Sequence, residues 1–314
     1  MRTVFFGTPE LATPSLAAIA RGHEVTAVVC QPDKPQGRSS KPVPPPVKAW
    51  AQDRGIAVMQ PTRLNDGAFE AWLREQQPDI CAIAAYGRLL KQPILDVPPH
   101  GFINMHPSLL PRHRGPSPIT SALLEGDAVT GVSIMRLTLE VDSGDLLLQE
   151  ATPIGPEENN IELTERLSHM GGELLLRAMD IIAAGQAVYT SQDHSRATYT
   201  RRLEKTDGAI DWSLPASRVH NLVRAAVPWP VAYTSFHGEI CRIHAARPVR
   251  YPAEGHAPGA IVAIEKDAIV TATGDGCLAI VTLQMPGKKA TSVSDFLRGH
   301  KVLPGDRFES PLPI

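Results

Sequence analysis

The stretch GFINMHPSLLP, from Gly101 to Pro111, joins an apolar run to a loop stiffened by prolines. An apolar run of this kind predicts a strand that is buried on both faces of a parallel sheet. Because side chains alternate along a strand, Asn104 and His106 should point to the same side at its carboxyl end. Ligands of open α/β sheets bind beyond that end, so the stretch predicts both a fold class and the place of a site.

The rest of the first half alternates between predicted strands and predicted helices. Apolar runs predict further strands at residues 3–6, 24–30, 79–85 and 131–137, and helix signals occur at 11–20, 47–54 and 67–76. Thr8 is the expected N-cap of the first helix, with Pro9 at its first helical position. The alternation predicts an α/β, Rossmann-like domain in which helices wrap a parallel sheet.

The character of the sequence changes after residue 185. Residues 161–184 predict a long helix that ends at Gly185, and the polar stretch 186–205 predicts a surface linker. From Ile210 onward, short alternating runs separated by glycine-rich turns predict a small all-β barrel or sandwich. We therefore expect a domain at 1–185, a linker at 186–205 and a second domain at 206–314.

Composition excludes several classes of protein. The 314 residues are 43% hydrophobic and 20% charged, with a net charge of -2, which is typical of a globular chain and gives no sign of a membrane helix. Four widely spaced cysteines disfavour a zinc site or disulfides and fit a reducing cytoplasm. Gly7-Thr8-Pro9 is not a dinucleotide fingerprint, because Pro9 lacks the N–H that a pyrophosphate would need.

A second polar stretch, Asp142-Ser143-Gly144-Asp145, follows the predicted strand at 131–137. If Asp142 lies against His106, it would raise the pKa of that histidine, and with the Asn104 amide the three would form a plausible site for acyl transfer. Each pattern alone also has a structural explanation. Asn104 can cap a turn, His106 can be a core histidine, and the Asp-x-Gly-Asp stretch can be ordinary turn chemistry.

Together these stretches resemble the folate-dependent formyltransferase family. The signature is INMHPSLLPRHRGPSPI, from Ile103 to Ile119, joined to the later Asp142-Ser143-Gly144-Asp145. Similarity to the members that act on an aminoacyl-tRNA extends over nearly the whole chain. It includes FFGTPE at 5–10, QPDKPQGR at 31–38, AAYGRLL at 84–90, IDWS at 210–213, PWP at 228–230, GDG at 274–276 and PGKKA at 286–290.

The resemblance implies transfer of the formyl group of 10-formyltetrahydrofolate, without a metal, to the free α-amine of methionyl-initiator tRNA for translation initiation. It implies a monomer in the cytoplasm, with an oligonucleotide-binding-type barrel as its second domain. In the implied mechanism Asn104 and a protonated His106 stabilise an oxyanion, and Asp142 keeps His106 charged. The expected folate-binding residues are Ser108, Leu109, Leu110, Pro111, Tyr86, Gly87 and Leu89. The expected tRNA-binding residues are Arg38, Lys41, Arg242, Lys288 and Lys289.

Three other functions remain compatible with parts of the sequence. An enzyme with a sugar nucleotide or a small amine as acceptor would carry a different carboxyl-terminal domain and would not need the proline-rich loop at 31–46. A folate-binding regulatory protein without turnover would need a broken Asn–His–Asp set. An RNA-binding module alone is poorly supported by a net charge of -2.

Overall fold

The chain forms two compact units. The computed structural model describes residues 1–35, 41–252 and 255–310. The first unit comprises Met1–Pro118, Val129–Pro153 and Thr164–Thr200, and the second comprises Ile119–Ala128, Ile154–Leu163 and the chain from Arg201 onward. Each unit therefore takes in more than one segment of the sequence.

The first unit is built around a mixed β-sheet. Its strands are β1 (Arg2–Gly7), β2 (Glu24–Val29), β3 (Lys34–Pro35), β4 (Pro42–Val43), β5 (Ala57–Met59), β6 (Ile80–Ala84), β7 (Phe102–His106), β8 (Val129–Arg136) and β9 (Leu146–Pro153). The sheet has the order β5-β2-β1-β6-β7-β8-β9, and β3 pairs separately with β4. From β5 to β7 the neighbours are parallel, which confirms the predicted Rossmann-like α/β class.

The last two strands of the sheet correct the expectation that it would be wholly parallel. β8 is antiparallel to β7 and β9 is antiparallel to β8. The register places Arg136 opposite Ile103 and Ser133 opposite His106. β8 therefore ends about 10 Å from His106, measured along the sheet, at the start of β7. The loop that follows β8 must run back over that distance for Asp142 to reach His106.

Helices alternate with these strands along the chain. Up to Ala183 they are α1 (Thr13–Gly22), α2 (Pro46–Gln52), α3 (Ala68–Glu75), α4 (Gln92–Leu95), α5 (Pro118–Glu125) and α6 (Asn160–Ala183). The prediction that Thr8 is the N-cap of the first helix is wrong. A 3-10 turn at Glu10–Ala12 comes before α1, and the Thr8 hydroxyl donates to the Tyr86 carbonyl oxygen at 3.3 Å instead.

An aromatic cluster forms part of the core of the first unit. Phe6 of β1 contacts Phe102 of β7, Tyr86 and Phe69 edge to face, with ring centroids 5.3 to 6.1 Å apart. All four rings are at most 4% exposed. Burial of this apolar surface holds β1, β6 and β7 in a fixed relation, and these are the strands whose carboxyl ends define the predicted site.

The second unit is an antiparallel barrel, as the sequence predicts. Its strands are β10 (Ala232–Phe236), β11 (Glu239–Val249), β12 (Ile261–Ile264), β13 (Ile269–Ala272), β14 (Cys277–Gln284), β15 (Thr291–Ser292) and β16 (Phe308–Glu309), with helices α7 (Ala216–Ala225) and α8 (Val293–Gly299). The order is β12-β13-β14-β11-β10-β16. The two edges meet where Ile261 N–H donates to the Asp306 carbonyl and Phe308 N–H donates to the Gly259 carbonyl, both at 2.8 Å.

The segment that the sequence predicts to be a linker makes regular backbone contacts. Up to Thr200 it lies in the first unit. Thr190 and Leu146 exchange two backbone hydrogen bonds of 2.8 Å. Tyr199 forms an isolated parallel β-bridge with Arg114 through the backbone. This part of the segment therefore pairs with the edge of the sheet and with the loop after β7.

Among the described residues, no helix is long and apolar enough to span a membrane.

Replacing Gly172 with valine tests the close packing of α6 on α1. A Cβ at this position would lie 2.8 Å from the Pro14 carbonyl oxygen and 3.2 Å from the Ser15 nitrogen. Because both neighbours are backbone atoms, we expect overpacking to lower the free energy of unfolding by about 1–3 kcal/mol. Urea denaturation followed by circular dichroism measures it. Gly299→Val is the control, since nothing lies within 4 Å of a Cβ there, and equal losses in both variants would contradict the prediction.

Candidate active site

The site begins with two polar side chains on a strand that is otherwise apolar. Every residue of β7 is buried, and Asn104 and His106 are 9% and 4% exposed. Their spacing puts both on the same side of the strand, as predicted. A buried amide and a buried imidazole on one side of a central strand lower the stability of the fold unless they are hydrogen-bonded. Their presence there therefore suggests a role in binding or catalysis.

One ring nitrogen of His106 is fixed by the backbone. Its Nε2 lies 2.9 Å from the His113 carbonyl oxygen. A carbonyl can only accept, so Nε2 carries the hydrogen and donates. The other nitrogen, Nδ1, faces Asp142 Oδ2 at 3.6 Å, which is too long for a direct hydrogen bond but close enough for strong Coulomb attraction once the ring is charged.

Burial decides the charge of His106 in the resting protein. Loss of solvent lowers the pKa of His106 below its ordinary value, although the Asp142 carboxylate and the His113 carbonyl act to raise it. The ring is therefore neutral at neutral pH. This differs from the expectation that Asp142 keeps the resting histidine protonated. The carboxylate is placed to stabilise an imidazolium that forms only when a proton arrives.

Asp142 reaches His106 through a tightly constrained loop. Its backbone has φ of 49°, and its Oδ2 accepts a hydrogen bond of 2.7 Å from Gly115 N–H. Gly144 passes so close to the end of β8 that a Cβ there would overlap the Arg136 carbonyl oxygen. A glycine is therefore required at 144, and the loop can cross back along the sheet towards His106.

The residues predicted to bind folate follow two adjacent parallel strands. Ser108 to Pro111 come after β7, and Tyr86 to Leu89 come after β6, so both segments lie at the same edge of the sheet. Leu89 is 79% exposed, whereas the Tyr86 ring is buried in the core and burial raises the pKa of its hydroxyl to about 12. A ligand at this edge would meet the main chain of Tyr86 and not its ring.

Side chains from neighbouring strands hold the loop after β7. The Ser133 hydroxyl donates to the Ser108 carbonyl at 2.6 Å and accepts from Leu110 N–H at 3.1 Å. Gln149 donates to the Leu110 carbonyl at 2.8 Å. Neither residue was predicted from the sequence. Ser133 is visible there as a polar residue in an apolar run, but Gln149 lies on β9, a strand that was not predicted.

Three of the residues predicted to bind tRNA lie together on the barrel. Arg242 of β11 pairs with Gln284 of β14, and the Gln284 side chain donates to the Lys288 carbonyl at 2.7 Å. Lys288 and the next residue, Lys289, are exposed on the turn after β14. Lys41 is exposed just before β4. Arg38 lies outside the described residues.

Comparisons with known proteins agree with this fold. The family model "Formyl transferase" matches residues 1–179, and "Formyl transferase, C-terminal domain" matches residues 202–301. The N-formyltransferase from Helicobacter canadensis, solved in complex with folinic acid and dTDP-3-aminofucose, has a TM-score of 0.68 at 17% identity, covering 90% of this chain and 98% of that one. The two family matches, over a fold of this kind, define a formyl transferase.

Two relatives narrow the class. Proteins named methionyl-tRNA formyltransferase are 44% identical in Syntrophus aciditrophicus, over 96% of this chain and 97% of the relative, and 42% identical in Moorella thermoacetica, over 98% of both. The chain belongs to the methionyl-tRNA formyltransferase family.

A titration of His106 tests the electrostatics of the site. We expect its pKa to lie below about 6.5, and to fall further in Asp142→Asn, because the carboxylate that raises it is removed. NMR of histidine labelled with 13C at the ring measures both values. The spectrum of His106→Gln assigns the resonance. A pKa above 6.5 in the unmodified protein, or an upward shift in Asp142→Asn, would contradict the prediction.

Proposed function

We propose that this chain transfers the formyl group of 10-formyltetrahydrofolate to the α-amine of methionyl-initiator tRNA and releases tetrahydrofolate. The observation that carries the proposal is the 3.6 Å approach of Asp142 Oδ2, in the loop after β8, to Nδ1 of buried His106, which shares β7 with Asn104. A proton acceptor, a carboxylate and an amide donor in one place are the groups that acyl transfer to an amine requires.

Asn104 and His106 divide the work of the reaction. As the amine nitrogen bonds to the formyl carbon, the carbonyl oxygen becomes an oxyanion, and the Asn104 amide donates to it. Neutral His106 takes a proton from the attacking nitrogen, and Asp142 stabilises the resulting imidazolium. The same proton then passes to the folate nitrogen as its bond to the formyl carbon breaks. The proton taken from the amine is therefore the one delivered to the leaving group. The reaction does not need a charged histidine at the start.

The folate cosubstrate fits the edge where β6 and β7 end. Leu109 and Pro111 are partly exposed there, and Leu89 is largely exposed. Gly87 has φ of 76°, and a Cβ on it would lie 2.9 Å from Gln31 Nε2. Gln31 therefore fills the space beside Gly87, and the apolar side chains at this edge are suited to a flat ring such as a pteridine.

The proposal assigns catalysis to residues 1–185 and tRNA binding to the barrel at 206–314, with Arg38 and Lys41 of the proline-rich loop as further tRNA contacts. Arg242, Lys288 and Lys289 would meet phosphates. We also propose that the enzyme works as a monomer in the cytoplasm without a metal. These assignments extend the family relationship to this chain's own residues.

Alanine substitutions at the catalytic residues test the mechanism. Asn104→Ala and His106→Ala should each lower kcat by about 100- to 1000-fold, because an aimed donor or a proton acceptor is removed. The assay follows formyl transfer from 10-formyltetrahydrofolate to charged initiator tRNA, with free methionine and a nucleotide-sugar amine as alternative acceptors. His100→Ala, at an exposed histidine before β7, is the control. Near-normal kcat in a folded His106→Ala variant would remove the assignment.

Salt dependence tests the tRNA surface. Replacing Lys288 and Lys289 with alanine should raise KM for the tRNA and leave KM for folate unchanged. The slope of log KM against log salt should decrease by about 0.7 to 0.9 for each phosphate that the variant no longer neutralises. Lys266→Ala, on the exposed turn between β12 and β13, is the matched control. An unchanged slope in the double variant would contradict a role for this turn.

A further inference from the structure

Gln192 lies at the centre of the segment that follows α6, and its side chain is 5% exposed. Its Nε2 donates to the carbonyl oxygens of Asp142 and Gly144, at 2.9 and 2.7 Å. Its Oε1 accepts from Arg114 Nη2 at 2.7 Å and from Arg114 Nε at 3.2 Å. Both N–H groups and the oxygen of this carboxamide are therefore occupied, which is the full complement for a glutamine.

Arg114 sets the orientation of that carboxamide. A guanidinium can only donate, so the oxygen of Gln192 must face it, and the NH2 group must face the loop. Arg114 is itself 2% exposed, and its backbone is held by Thr198 and Thr200 through hydrogen bonds of 2.9 and 2.8 Å. The donor pair that meets the Asp142 loop is therefore pre-oriented by buried neighbours.

The loop that carries Asp142 depends on such bonds for its position. β8 ends beside the start of β7, so residues 137–145 run back along the sheet without the support of a strand. Leu139 and Val141 are 60% and 50% exposed, so these apolar side chains do not anchor the loop. What holds Asp142 is the Gly115 N–H on its carboxylate and Gln192 on its main chain.

We propose that Gln192 is a positioning residue for formyl transfer: its two donors hold the carbonyls of Asp142 and Gly144 and so keep the Asp142 carboxylate beside Nδ1 of His106. The inference rests on the proposed function of this site. Gln192 acts through Asp142 and does not touch the reacting atoms. A displacement of about 1 Å in such a constellation can cost about 100-fold in rate.

Two substitutions separate the donors of Gln192 from its volume. Gln192→Met keeps the length and removes every polar contact. Gln192→Glu keeps the acceptor for Arg114 and turns the donors into acceptors that face two carbonyls. We expect kcat to fall about 10- to 100-fold in both, with KM for each substrate within about threefold. Ser191→Ala is the matched control, because the neighbouring Ser191 donates a hydrogen bond to the same loop at the side chain of Asp145. Wild-type kcat in either folded variant would overturn the proposal.

A double-mutant cycle asks whether Gln192 acts through Asp142. In an Asp142→Asn background, Gln192→Met should lower kcat by less than about threefold further, since the group that it positions is already absent. Fully multiplicative losses would overturn the proposal.

The His106 titration provides a readout that does not depend on turnover. In Gln192→Met the pKa of His106 should fall, in the same direction as in Asp142→Asn, because the carboxylate that raises it has moved away. An unchanged pKa would overturn the proposal. If the unmodified protein does not formylate methionyl-tRNA, the proposed function fails, and this titration still decides the role of Gln192.

Discussion

The approach of Asp142 to buried His106 depends on a loop that runs back along the sheet from the far end of β8. In a wholly parallel sheet the two residues would meet directly, because each would follow a strand at the same edge. Here β8 is antiparallel, and its end lies about 10 Å from His106. Gly144, the Gly115 N–H and Gln192 all serve the same requirement, which is to bring one carboxylate back across that distance.

Desolvation makes this pair suited to transient proton transfer. A solvated histidine beside a carboxylate would gain charge, but the burial of His106 outweighs that attraction and lowers its pKa. The carboxylate then has its largest effect on the protonated ring, which in the proposed mechanism forms when the amine attacks. At a Nδ1–Oδ2 distance of 3.6 Å, the neutral ring forms no direct hydrogen bond with the carboxylate. The hydrogen bond of 2.9 Å from Nε2 to the His113 carbonyl fixes the orientation of the ring. It leaves Nδ1 able to accept a proton.

The hydrophobic pattern of the sequence predicted the strands that carry the site. The direction of β8, the presence of β9 and the burial of Gln192 depend on contacts between residues far apart in the sequence. The run at 101–105 is apolar whichever neighbour it has, so β7 and the shared side of Asn104 and His106 could be derived from the sequence. The amino-acid composition of β8 does not indicate whether the strand is parallel or antiparallel. No residue of β9 is fully buried, and its exposure does not alternate regularly from residue to residue. Gln192 sits in a polar stretch that is typical of a surface segment, and only tertiary contact with Arg114 and the Asp142 loop buries it.

The same fold occurs in a structure that holds a different ligand, and the proposed mechanism is compatible with more than one acceptor. The Helicobacter canadensis structure shares the fold over 90% of this chain at 17% identity, and it was solved with a sugar nucleotide. In the proposed mechanism, Asn104, His106 and Asp142 contact only the carbonyl oxygen and the amine proton, and any primary amine supplies such a proton. In that mechanism the three residues determine the reaction and do not select the acceptor. Under this proposal, discrimination between acceptors comes from groups that contact the rest of the acceptor, such as the proposed tRNA contacts on the barrel.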